Sequence, residues 1–247
     1  MTDEALDILS NEPIARKSLT LFYLIDTSGS MKGDKIAQVN TVMEEVIPEI
    51  RDTGGSDSEI KMAVMTFDND VAWMYDEPKS IEEISWTRLE VGTLTCMGAA
   101  FEELNSKLSR NGFMKSASVS FAPVIFLMSD GWPNDDYKEA LKKLRMNKWF
   151  KYALKIAVAI GAEADKQVLA EFTGDPETVV EVNNGKALRR LIKEITVTSS
   201  QIGSKSSSLD GSGLITPEQA DQAKQKELAG VIGGMVKPDD IEPDDGW

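Results

Sequence analysis

The chain has 247 residues, 41% hydrophobic and 28% charged, which suits one large domain with a sizeable core, or one domain plus an extension. A formal net charge of −14 opposes nonspecific contact with nucleic acid or anionic lipid and favours cations and basic partner surfaces. With no histidine anywhere, His-based triads, imidazole-ligated zinc and the commonest general base at neutral pH are all excluded.

Residues 1–17 are polar and read as a lead-in, without the basic region and apolar core of a signal peptide. Ser18 to Ile25 is a continuous apolar run, expected to form a buried strand. Asp34 to Asp52 carries Ile36, Val39, Val42, Met43, Val46, Ile47 and Ile50 at helical spacing, and Pro48 predicts a kink or an early end. Glu59 to Phe67 is a second strand, Asp68-Asn69-Asp70 a turn, and Val71 to Tyr75 an antiparallel edge strand. Residues 76–95 lack periodicity. Met97 to Leu108 is helical and closed by Asn111-Gly112. Ala122 to Met128 is a fourth, fully buried strand, followed by a helix over Tyr137 to Asn147. Tyr152 to Ile160 is a fifth strand, Asp165 to Thr173 a short helix, Thr178 to Val182 a sixth strand and Gly185 to Thr196 a basic amphipathic helix.

This alternation predicts an α/β fold, a doubly wound, mainly parallel six-stranded sheet with helices on both faces, over residues 18–200. From about Ser199 the composition turns Ser-rich, so 201–247 reads as a flexible linker, a short helix within Thr216 to Ile232 and an acidic, proline-broken tail. No apolar run approaches the ~18–20 residues of a membrane span. A single cysteine, Cys96, excludes an internal disulfide and fits a reducing compartment, so cytoplasm is the expected location.

The chemistry concentrates at the end of the first strand, in Asp26-Thr27-Ser28-Gly29-Ser30. Ligands of doubly wound sheets sit outside the carboxyl ends of strands, where strand order reverses. The loop after the first strand and Asp130 after the fourth both fall on that edge. A phosphate there would face two carboxylates with no arginine nearby, a repulsion of about 1 kcal/mol in water and about 4 at an effective dielectric of 20 for charges ~4 Å apart. A divalent cation fits better. Mg²⁺ takes six oxygens and uses few carboxylates, and Asp26, Ser28 and Ser30 at alternate positions can point at one centre. Thr93 and Thr95 are candidates for a further hydroxyl.

Asp26-Thr27-Ser28-Gly29-Ser30 resembles the DxSxS motif of von Willebrand factor type A domains, and Ser129-Asp130-Gly131 resembles their second acidic element. The resemblance covers about residues 18–200 and implies a Rossmann-like fold carrying a metal-ion-dependent adhesion site. It places the family's threonine on Thr95 rather than Thr93. The metal set is then Asp26, Ser28, Ser30, Thr95 and Asp130, holding Mg²⁺, with Mn²⁺ or Ca²⁺ as other candidates. Gly131-Trp132-Pro133-Asn134-Asp135-Asp136 and the preceding run are similar to the bacterial stand-alone subgroup of tellurium-resistance and stress operons, often encoded beside kinases or phosphatases. The expected function is a non-enzymatic, metal-dependent protein-interaction module whose partner supplies an Asp or Glu to the metal. The alternatives are a metal-dependent phosphatase or phosphotransferase, and a scaffold that binds through its acidic tail.

Overall fold

The computed structural model describes residues 17–53, 58–115, 120–182 and 184–206, together with 223, 226, 227, 229–232 and 234. Seven strands form one sheet: β1 (Lys17–Asp26), β2 (Ser58–Phe67), β3 (Val71–Trp73), β4 (Lys79–Ser80), β5 (Val124–Ser129), β6 (Leu154–Ile160) and β7 (Val179–Val182). The spatial order is β3-β2-β1-β5-β6-β7, with β4 also paired to β2. Pairings among β2, β1, β5, β6 and β7 are parallel, whereas β3 and β4 lie antiparallel to β2. The described helices are α1 (Asp34–Thr53), α2 (Met97–Lys107), α3 (Tyr137–Leu144), α4 (Lys148–Tyr152), α5 (Lys166–Thr173) and α6 (Gly185–Ser206).

Alternation along the central strands splits the core into two layers. Leu19, Leu21, Tyr23 and Ile25 of β1 and Val124, Phe126 and Met128 of β5 pack with Val39, Val46 and Ile50 of α1 and Leu188 and Ile192 of α6. Phe22, Leu24, Ile125 and Leu127 face the other way, against Phe101 and Leu104 of α2, Leu141 of α3 and Phe172 of α5. Helices on both faces explain why β1 and β5 are apolar throughout rather than alternating with polar residues.

Several elements depart from the expected ones. The sheet gains β4, a two-residue strand inside the aperiodic segment. Helix α1 continues through Pro48 to Thr53 instead of stopping. Its last turn is held from outside, because Arg51 donates to the carbonyls of Ile81 at 2.9 Å and Ile84 at 2.7 Å while Ile50 is buried. Residues 148–152 form the separate helix α4, which ends on Tyr152, where a strand was expected to start; Asn147 caps it by accepting the Trp149 amide.

Helix α6 runs to Ser206, so residues 201–206 are not the start of a linker. Its buried stripe continues past Ile195 through Thr196 and Ser199, small hydroxyl residues that a hydrophobic pattern does not register. The described residues between 223 and 234 are helical; Ala229 and Ile232 are buried, and Ile232 joins the α1–α6 layer. The lead-in up to residue 16, most of the expected linker and the acidic tail lie outside the described residues.

Candidate metal centre

The chain leaves β1 to either side of it: β2 pairs on one edge and β5 on the other. That reversal opens a crevice between the loops after β1 and β5, where this class of sheet binds ligands. Asp26, the last residue of β1, is fully buried. Its Oδ1 accepts the Ser28 amide at 2.8 Å, a local turn that Asp makes readily. Ser28 Oγ and Ser30 Oγ lie 3.0 Å apart, and Met31 sinks into the core to anchor the loop. Gly29 allows close approach of a second loop: its amide donates to Thr93 O, and a Cβ there would come within 3.2 Å of that oxygen.

The Oδ2 of Asp26 accepts the Ser129 hydroxyl at 2.5 Å, and Ser129 Oγ accepts the Gly131 amide at 2.8 Å. This chain clamps the β1 and β5 loops together on either side of Asp130. Burial pushes the Asp26 carboxyl up to about 6; hydrogen bonds from Ser129 and Ser28 pull it down and the charge of Asp130 pushes it further up. Asp130 is also buried. Its Oδ2 lies 3.3 Å from Lys35 Nζ, while its Oδ1 has no hydrogen-bond partner among the described residues. Of the two buried acids, only Asp130 pairs with an ammonium, and one of its carboxylate oxygens has no partner among the described residues. A buried polar atom left unpaired costs about 1–3 kcal/mol, more when charged. A cation beside these acids would relieve both costs.

Thr95 is buried, with its amide donating to Asn134 Oδ1 at 2.8 Å and its carbonyl accepting the Asn134 amide at 2.9 Å. No described residue hydrogen-bonds its hydroxyl. Thr93 is exposed and its hydroxyl donates to Asn69 Oδ1 at 2.8 Å, so Thr95 is the better placed of the two candidates. Nor does Thr95 cap the following helix. The Asp135 carboxylate does so from the β5 loop, accepting the amides of Gly98 at 2.9 Å and Ala99 at 3.0 Å.

The von Willebrand factor type A domain model matches residues 21–194. The chain belongs to this family. Solved structures of similar fold include proximal thread matrix protein 1 from the mussel byssus with a zinc-occupied MIDAS motif, at 17% identity over 75% of this chain and 48% of that chain, TM-score 0.56. Others are a von Willebrand factor type A protein from Catenulispora acidiphila, at 16% identity over 74% and 43% with TM-score 0.55, and the ArnB paralog VWA2 from Sulfolobus acidocaldarius, at 18% over 73% and 45% with TM-score 0.54. This chain spans about half or less of the length of these proteins. No curated protein matches it significantly. No described helix is long and apolar enough to cross a membrane.

Within the type A domain, the donor set suits a hard divalent cation. No cluster of three or more His, Cys, Asp or Glu able to hold a metal occurs among the described residues, so a cation here must draw on hydroxyls. Ser28, Ser30 and Thr95 could supply three hydroxyls, alongside the carboxylates of Asp26 and Asp130. Four supporting residues have roles that the sequence does not specify, although Ser129 and Asn134 lie within the segments that carry the resemblance. Lys35, Asn69, Ser129 and Asn134 act across loops that only the folded sheet brings together.

Asp135→Ala removes both cap bonds on α2 and loosens the loop that seats Thr95. We expect a stability loss of about 1–2 kcal/mol, typical of a lost cap, visible in thermal melts without metal. Loss of metal affinity with unchanged melting would refute the capping role.

Proposed function

We propose that this type A domain is a non-enzymatic protein-interaction module whose partner is captured through a bound divalent cation, Mg²⁺ by preference. One observation carries the reading: Ser28 and Ser30 place their hydroxyls 3.0 Å apart beside two buried carboxylates, one with an unpartnered oxygen. Ser28, Ser30 and Thr95 would hold the ion directly, with Asp26 and Asp130 acting through water or hydrogen bonds. Neutral inner ligands leave the ion strongly electropositive, so a bound Mg²⁺ would draw an Asp or Glu of the partner into its coordination sphere.

The rim supports this kind of capture. Leu94 and Trp132, 50% and 57% exposed, stand on the two loops that Thr95 and Asn134 lock together. The Trp132 indole is fixed by donating to Glu163 O at 3.0 Å. Tryptophan is enriched among binding hot spots, so the partner acid is expected to be flanked by apolar side chains that meet Trp132. The phosphotransfer alternative lacks support: Arg51, Arg88, Arg145 and Arg189 engage carbonyls and carboxylates elsewhere. The cytoplasmic location is supported by the single cysteine and the stress-operon setting by the sequence resemblance.

The test is isothermal titration of Mg²⁺ into the EDTA-stripped full chain and into the Ser28→Ala/Ser30→Ala variant, followed by a pull-down with Mg²⁺ or EDTA. The variant is expected to lose at least 100-fold in affinity, and capture of the partner should require Mg²⁺. Equal Mg²⁺ affinity in the two proteins would remove the basis of the site.

A further inference from the structure

Lys35 lies in the first turn of α1, and its stem crosses the crevice to reach Asp130 at the end of β5. Gly161, just past β6, adopts φ +89°, and a Cβ there would sit 2.8 Å from Lys35 Cε and 3.2 Å from Nζ. Glycine takes that conformation readily, and the end of the Lys35 side chain lies close against it. The Lys35 side chain is 22% exposed and its ammonium meets Asp130 Oδ2 at 3.3 Å, while Oδ1 has no partner among the described residues. Among the described residues, no other cation is hydrogen-bonded to either site acid.

We propose that Lys35 is a tethered stand-in for the metal: it holds Asp130 in place while the centre is empty, and its charge sets how much divalent cation is needed to fill it. This rests on the metal-site reading. The physical basis is competition. In the empty site, Lys35 offsets part of the repulsion between Asp26 and Asp130, which stabilises the metal-free fold. A dication arriving beside Asp130 must share or displace that ammonium, and like charges this close repel in a partly desolvated crevice. The lysine therefore weakens metal binding while protecting the empty domain from its own buried acids, so it acts as a positioning residue that tunes metal affinity.

The experiment uses the EDTA-stripped full chain, with Mg²⁺ alone as the probe. Lys35→Gln should bind Mg²⁺ at least about tenfold more tightly than wild type, whereas Lys35→Arg, which keeps the charge, should stay within a few-fold. In EDTA, Lys35→Gln should melt at a lower temperature than wild type, and saturating Mg²⁺ should close that gap. In an Asp130→Asn background, the Lys35→Gln change should no longer lower the metal-free melting temperature. Equal or weaker Mg²⁺ binding by Lys35→Gln overturns the proposal, as does an undiminished melting effect in the Asp130→Asn background. If wild type binds no Mg²⁺ at all, the metal-site reading falls, and the melting comparison still decides whether Lys35 and Asp130 act as a pair.

Discussion

Asp26→Asn is expected to make the metal-stripped domain more stable at pH 7.5 while abolishing its response to Mg²⁺. The carboxyl is fully buried and its pKa rises from 3.8 to about 6, chiefly because burial disfavours the charged form. The folded state therefore binds this proton more tightly than the unfolded chain does. Stability from this group is fully present below pH 3.8 and is lost as pH climbs through about 6. Above that, the ionised acid costs at most about 3 kcal/mol, from roughly two pKa units at 1.36 kcal/mol each. Asparagine keeps an oxygen for the Ser28 amide and an amide group facing Ser129, so most of the local bonding survives. Melts of both proteins in EDTA at pH 4 and pH 7.5 check this. The variant's advantage should appear only at the higher pH; a deficit of equal size at both pH values would mean that lost hydrogen bonds outweigh the charge. A buried acid that weakens the empty fold and is relieved by a cation is the trade expected of a functional site.

Gly131→Ala is expected to cost about 2–4 kcal/mol, combining an L-residue forced to positive φ with an overpacked contact. Gly131 has φ +78°, and an added Cβ would lie 2.6 Å from the Asp165 carbonyl oxygen. That oxygen belongs to backbone and cannot swing away, because the Asp165 amide is itself bonded to Asp130 O at 2.7 Å. The loop must shift, and Asp130 shifts with it. Mg²⁺ affinity should fall at least tenfold even under conditions where the variant remains folded. Thermal melting and titration on the same samples check both effects; a stable variant with unchanged Mg²⁺ binding would show that the approach of the two loops is slack.

Much of the architecture was legible because burial on both faces leaves a long apolar run that few alternatives can explain. Ala122 to Met128 and Ser18 to Ile25 read as inner strands for that reason, and the apolar spacing of α1 and α2 needed only the 3.6-residue period. The errors fall where distant partners override local signals. Arg51 ties the end of α1 to the carbonyls of Ile81 and Ile84, so Pro48 does not stop the helix. Two ladder positions on β2 turn Lys79 and Ser80 into β4. Thr196 and Ser199 continue the buried stripe of α6 without aliphatic side chains.

By itself, the sequence determined the strand that carries Asp26, the Ser28–Ser30 spacing beside it and the acid at Asp130, because each depends on neighbours within a few residues. Only the tertiary structure decided that Asp135 rather than Thr95 caps α2, that Ser129 bridges to Asp26, and that Lys35 lies against Asp130. Those contacts join residues up to 103 positions apart, and strand order can bring two loops to one sheet edge without encoding which side chains pair there.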